Sequence, residues 1–424
     1  MTSRWLIGSA ALIVAVVIAS GGAIAHSALD RVSATNLPAA TAAVDAVSDA
    51  PAFVAPGAKI DATNAKGKTI FIIPALPEAA VLPSVNAMVG GIRQAATTVG
   101  VKTLSCNNTG SDADWAACFK QAMAKKVDAI VLAGGTEPVA DASLVTTATA
   151  AGIKVIAGHV PNPTDFTGDI AATYAKDIAG LTAIVPAPYA AIGKVLADET
   201  VVDRPTPGRL VIVTSSDIPA SAGLQAAVTS ELTAVCGTDC PIVTTLDLPY
   251  AKWQTDAIAA SAKTLLTAPV TAYITLFDKV SALLAQGNHD ARLASATSTQ
   301  PRIHAYGGTP FAIQLGQDNN RVEGIVAENM GWLGWATMDQ VLRVLIGAKP
   351  LASENTPFRP VDDGSWATEG IGLEGYSFPP LLDQAFGDPR GDDGYITGYR
   401  TLWGLPGNSD GVKLSAAPSG GGGD

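Results

Sequence analysis

An α/β protein with two successive doubly wound parallel sheets is the fold class that the sequence predicts. Three observations carry this. Short apolar runs without alternation, such as Phe71-Ile72-Ile73 and "VDAIVLAG" at 127–134, read as strands covered on both faces. They take turns with longer segments of helical spacing, and strand–helix repetition makes a parallel sheet with helices on both sides. The whole alternation restarts near residue 208, and 424 residues are enough for two cores.

In the first half, Thr69–Ile73 is a strand. Ser84–Val99 is a helix, with Val85, Met88, Val89 and Ile92 on one face and Gly100 as its stop. Val101–Ser105 is a strand. Asp112–Lys126 is a helix, acidic in its first turn and basic in its last, which complements the macrodipole. Residues 127–134 are a strand, Asp141–Ala151 a helix closed by Gly152, and "KVIAGHV" (154–160) a fourth strand. Thr173–Ala197 reads as largely helical. Strands then follow at 208–216, 241–248, 270–278 and 302–308, with helices at Ala220–Val235, Trp253–Thr267 and Val280–Gln286.

The two ends read differently. Arg4 precedes an uncharged run from Trp5, and Ala23-Ile24-Ala25 fits a cleavage site, so residues 1–25 are an export signal or, uncleaved, an N-terminal anchor. Residues 26–65, rich in Ala, Pro, Thr and Asp, read as a flexible spacer. Residues 406–424 read as a flexible Gly-rich tail.

With 48% hydrophobic and 15% charged residues the chain is a folded protein. A net charge of −11 argues against nucleic acid as a partner, because sequence-independent binding needs a basic face. The four cysteines fit an oxidising compartment and suggest the pairs Cys236–Cys240 and Cys106–Cys118 in preference to a metal site.

Motifs for chemistry fail on context. "ATNAKGKT" (62–69) satisfies a relaxed phosphate-loop pattern, but a strand follows it where a helix N-terminus should meet the phosphate. "GIGLEG" (370–375) spells a dinucleotide fingerprint but runs into "YSFPP", which cannot open a helix. Ser221 lacks the glycine-flanked elbow of a nucleophile. Nothing assembles a catalytic set or calls for a cofactor or a metal, and the chain reads as no enzyme.

The succession "KTIFIIPALPEAAVLPSVNAMVGGIRQAATTVG", "DWAACFKQAMAKKVDAIVLAGGTEP" and "ATAAGIKVIAGHVPNP" resembles the first lobe of the sugar-type periplasmic binding proteins, the ribose- and galactose-binding-like receptors of ABC importers. "RLVIVTSSDIPASAGLQAAVTSEL", "RIHAYGGTPFAIQLG" and "VEGIVAENMGWLGWATMDQVLRVLIGAKP" resemble the second lobe and the return to the first. The resemblance implies two lobes joined by three crossovers with a ligand cleft between them. The first lobe would be 66–167 plus 329–352, the second 168–328 plus part of 353–405. It also implies a small-molecule ligand, an ABC permease as membrane partner and an extracytoplasmic place.

Candidate ligand residues follow from strand ends, where open α/β sheets bind. The proline-stiffened loop "PALPEAAVLP" would wall the cleft with Leu76, Glu78 and Leu82. Thr136 and Glu137 end the third strand and His159 the fourth. Sugar binders of the family carry an Asp with a nearby Arg at the last of these places; here the stretch is "AGHVPNP". Asp278 matches an acidic or amide position that touches ligand, and Asn329 falls near the polar residue of the last crossover. Trp253 and Trp332 are candidate stacking groups. Asp278 could instead cap a helix, and the tryptophans could pack on their own lobes. Fewer polar forks and more apolar residues favour a ligand with a substantial apolar body, the alternative being an ordinary sugar or a tethered sensor without a permease.

Overall fold

The structure, a computed structural model, describes residues 36–75, 83–108, 112–134, 142–165, 172, 174–175, 178–203, 209–218, 220–236, 242–253, 270–281, 283–285, 301–309, 312–313, 322–362 and 385–406. The expected leader, the tail, Cys240, and the loop holding Leu76, Glu78 and Leu82 lie outside those residues, as do Thr136 and Glu137.

The first lobe is built on a five-stranded parallel sheet in the order β2-β1-β3-β4-β5. Its strands are β1 (Thr69–Pro74), β2 (Lys102–Ser105), β3 (Ala129–Ala133), β4 (Lys154–Pro161) and β5 (Ala183–Ala187). All of β3 is buried, as a central strand covered on both faces must be. One face is covered by α2 (Pro83–Val99), α7 (Met330–Leu345) and α8 (Tyr395–Leu402). The other is covered by α3 (Asp112–Ala124) and α4 (Ala142–Ala150). Cys106 and Cys118 are bonded, tying the end of β2 to α3. Cys236 is also disulfide-bonded.

The second lobe carries a six-stranded sheet in the order β11-β10-β9-β8-β6-β7. Its strands are β6 (Leu210–Thr214), β7 (Ile242–Asp247), β8 (Ala272–Thr275), β9 (Arg302–Gly307), β10 (Gly324–Glu328) and β11 (Phe358–Asp362). Only β11 runs antiparallel, on an edge. α1 (Leu37–Asp45), α5 (Tyr189–Asp203) and α6 (Ala220–Cys236) cover one face.

Two expectations are corrected. The stretch 173–197 is not one helix, because Ala183–Ala187 forms the edge strand β5 beside β4. The first sheet therefore reaches Ala187, beyond the boundary expected at 167. The spacer is folded from residue 36: α1 buries Ala40 in the second lobe, while Ala62 and Ala65 are buried in the first. The mean period of Leu37, Ala40, Val44 and Val47 is helical, and a stripe that narrow buries well against α5.

Helices α2 and α7 meet at their glycines. A Cβ on Gly334 would lie 2.5 Å from the Met88 carbonyl oxygen, and one on Gly91 2.5 Å from that of Gly331. Behind them is a buried polar knot: Asp339 accepts from Arg343 Nε at 2.6 Å and from Trp403 Nε1 at 2.6 Å. Among the described residues no helix is long and apolar enough to cross a membrane.

Candidate functional site

Parallel strands aim their carboxyl ends at one edge of each sheet, and ligands of open α/β sheets bind beyond that edge. Four side chains converge there, where the lobes meet. His159 comes from the end of β4, Tyr189 from the first turn of α5, Tyr306 from the end of β9 and Glu328 from the end of β10.

His159 is delivered by a distortion. Its φ is +60°, a left-handed value that a residue with a Cβ adopts at a cost of about 1–3 kcal/mol. The β4–β5 register shifts between Gly158 and Val160. Such a bulge re-aims one side chain of a strand. His159 Nε2 thereby comes 3.0 Å from Glu328 Oε2 and 3.1 Å from the Tyr306 hydroxyl, which itself donates to Glu328 Oε2. A carboxylate only accepts, so the Glu328 contact places the imidazole proton on Nε2. Tyr189 packs edge-on against both neighbours, its ring centroid 5.7 Å from His159 and 5.9 Å from Tyr306.

Burial, and after it the charge of Glu328, push the Tyr306 phenol well above its ordinary value, which keeps it a donor. Glu328 is 1% exposed, yet its Oε1 has no hydrogen-bond partner among the described residues. An unpaired buried acceptor costs about 1–3 kcal/mol. Here it belongs to a carboxylate held at the junction of the lobes by His159 and Tyr306, and it can accept from a hydroxyl or a cation.

The other expected residues have structural partners. Asp278 is buried and accepts the backbone N–H groups of Gly308, at 2.9 Å, and Thr309. Burial raises its carboxyl against the pull of those donors. It fastens the loop after β9. Asn329 caps α7, its side-chain oxygen accepting from Trp332 N at 3.0 Å. Trp332 stacks on Tyr395 at 4.9 Å inside the first-lobe core. Trp253 is buried in the second lobe and donates Nε1–H to the Leu248 carbonyl at 2.9 Å. Of the described candidates only His159 joins the cluster. Glu328 went unread although it ends the apolar run "GIVAE", where a charge is conspicuous; Tyr306 and Tyr189 have no comparable signal.

No catalytic constellation is present among the described residues, and no group of three or more potential ligands there could hold a metal. The chain resembles several solved structures in fold. One is an ABC transporter solute-binding protein from Burkholderia graminis in complex with D-arabinose, at 16% identity and TM-score 0.58, covering 72% of this chain and 98% of that one. Another is a solute-binding protein from Agrobacterium vitis with bound allitol, at 20% identity and TM-score 0.57, covering 71% and 97%. A third is the 5-methylthioribose transporter solute-binding protein from Thermotoga lettingae, in complex with 5-methylthioribose, at 15% identity and TM-score 0.60, covering 78% and 96%. No curated protein matches the chain by sequence. The model of the periplasmic binding protein domain matches residues 79–349, well over half of the chain. Two lobes, a junction lined by strand ends and that match together place the chain in the periplasmic binding protein family, whose members are solute receptors and not enzymes.

Proposed function

We propose that the protein is an extracytoplasmic receptor that captures a monosaccharide-sized polyol between its lobes and delivers it to an ABC permease. The observation that carries this is Glu328 Oε1, without a partner among the described residues, on a carboxylate whose other oxygen is bonded to His159 and Tyr306 next to the Tyr189 ring. A sugar hydroxyl satisfies a buried carboxylate oxygen, and the C–H face of a sugar ring suits an aromatic wall. The fold neighbours support the ligand class, since their ligands are a pentose, a hexitol and a thiosugar.

A ligand with an apolar end is a second reading. It is favoured by the sequence of the loop after β1 and by the methylthio group of one neighbour's ligand. Either ligand would draw the lobes together, the usual hinge response of two-lobed receptors.

Calorimetry with D-arabinose, allitol, 5-methylthioribose and a set of alicyclic and aromatic acids tests the proposal. Binding of a polyol that weakens about 10–100-fold in Glu328→Gln, the worth of one hydrogen bond to a charged group, is the expected outcome. Binding of the acids alone would overturn the sugar reading. Binding of 5-methylthioribose over D-arabinose would select the second.

A further inference from the structure

Three chain crossings join the lobes: β5 to α5 and β10 to α7 within the matched span, and α7 to β11, which leaves that span and ends at Phe358–Asp362. The described residues add two more, both from segments outside the matched span of 79–349.

The first starts on the second lobe. Ala40 of α1 is 1% exposed in that core, and Asn36 Nδ2 donates to the carbonyls of Ala234 at 3.2 Å and Val235 at 3.0 Å, at the end of α6. The chain then passes to the first lobe. Phe53 stands 4.9 Å from Tyr399, and Ala58 O accepts from Arg343 at 3.0 Å. The second crossing starts with Ala385 and Phe386 in the second-lobe core and ends in α8, whose Tyr395, Ile396 and Tyr399 are buried in the first.

The two added segments also hold each other. Phe53 N–H donates to Asp393 O at 2.7 Å, Ile60 N–H to Leu402 O at 2.9 Å, and Ala62 N–H to Trp403 O at 3.2 Å. Gly398 leaves the space that the Phe53 ring occupies. From Val47, the last residue of the N-terminal segment on the second lobe, to Phe53 is a short step, and at about 3.3–3.6 Å per residue it reaches roughly 20 Å when taut.

We propose that residues 36–65 and 385–406 form a clasp across the hinge that limits how far the lobes open without ligand. Rotation about the three family crossings must stretch both added links, and the shorter one runs out first. Opening further means pulling α1 off α5 or Phe53 out of its aromatic seat.

The test needs no ligand, so its outcome is independent of the sugar reading. Spin labels at Lys120→Cys on the first lobe and Ser230→Cys on the second, both exposed sites, report the inter-lobe distance by double electron–electron resonance. A protease site inserted between Asp49 and Ala50 allows the link to be cut after folding. The uncut protein is expected to give one narrow distribution, which widens toward longer distances on cutting. A second variant, Ala40→Asp, expels α1 from the second-lobe core without a cut and should widen the distribution likewise. A distribution already broad in the uncut protein overturns the proposal. So does one that neither the cut nor Ala40→Asp changes.

Discussion

Asp198 and Glu199, adjacent on α5, are acids held away from water. Burial, and then the charge of Glu231, push Asp198 up to about 7 against the pull of Lys194. Glu199 is raised well above its ordinary value by burial, with Asp362 and Asp203 adding to it, and neither of its carboxyl oxygens has a partner among the described residues. Unfolded, both titrate near 4. Between there and neutral pH the folded state therefore holds protons that the unfolded chain releases. Their contribution is complete at acid pH and is lost as pH rises through about 7 for Asp198. Asp198→Asn should raise the melting temperature at pH 8 and leave it nearly unchanged at pH 4; a gain of about 1 kcal/mol moves a domain of this size by roughly 2–4 °C. An equal shift at both pH values would show that the acid is ionised in the folded state or that its effect is not electrostatic. At this scale the sequence spoke unevenly. The place of His159 near the end of a buried strand was legible. Its φ of +60° and its reach to Glu328 were not, since a bulge arises from pairing with a strand, β5, that the sequence concealed. For Asn329 and Trp332 the sequence offered two roles without choosing between them, because a polar cap and a buried aromatic use the same residue types as a binding site.

The helix pair α2–α7 sets the layer behind the first sheet. Gly334→Ala pushes a methyl group into the Met88 carbonyl; overpacking of this kind costs about 1–3 kcal/mol, of which the better helix propensity of Ala returns at most about 1. Gly90→Ala, on the same helix as Gly91 but facing nothing within 4 Å among the described residues, should gain up to about 1 kcal/mol. Chemical denaturation of the two variants checks the pair, and equal effects would remove the close-approach explanation. Elements with an unbroken apolar run or a clear helical face were readable: β1, β3, β4, α2 and α6 lie within a residue or two of where their sequences put them. "AIVPA" was not, because Ala and Ile suit a helix as well as a strand. Pro186 was the available sign, since proline within a sheet is confined to edges and bulges, and β5 is an edge. α1 was hidden by composition, its alanines resembling a linker until something stands opposite to bury Ala40.

At the scale of the whole molecule, the two-lobed plan follows from the strand–helix rhythm, and the resemblance supplied its crossovers. The added crossings were beyond reach of either, because they depend on residues 53–62 meeting 393–403. That meeting bears on the order in which the protein can come into being. During synthesis, domains generally acquire structure from the N-terminus onward. Here the first lobe receives Tyr399 and Trp403 only after all the described strands of both sheets have been made, and Trp335 until then lacks the indole that lies parallel to it at 5.2 Å. The second lobe draws α1 and β6–β10 from sequence already made. Chains halted at residue 390 should therefore show a second lobe that resists proteolysis and a first lobe that does not, with both resistant once residue 406 is reached; a protected first lobe in the shorter chain would mean that α8 is ornament to a core already closed. Contacts so distant along the sequence also make folding slow. A slow-closing first lobe keeps the nascent chain incompletely folded for longer than its second lobe alone would.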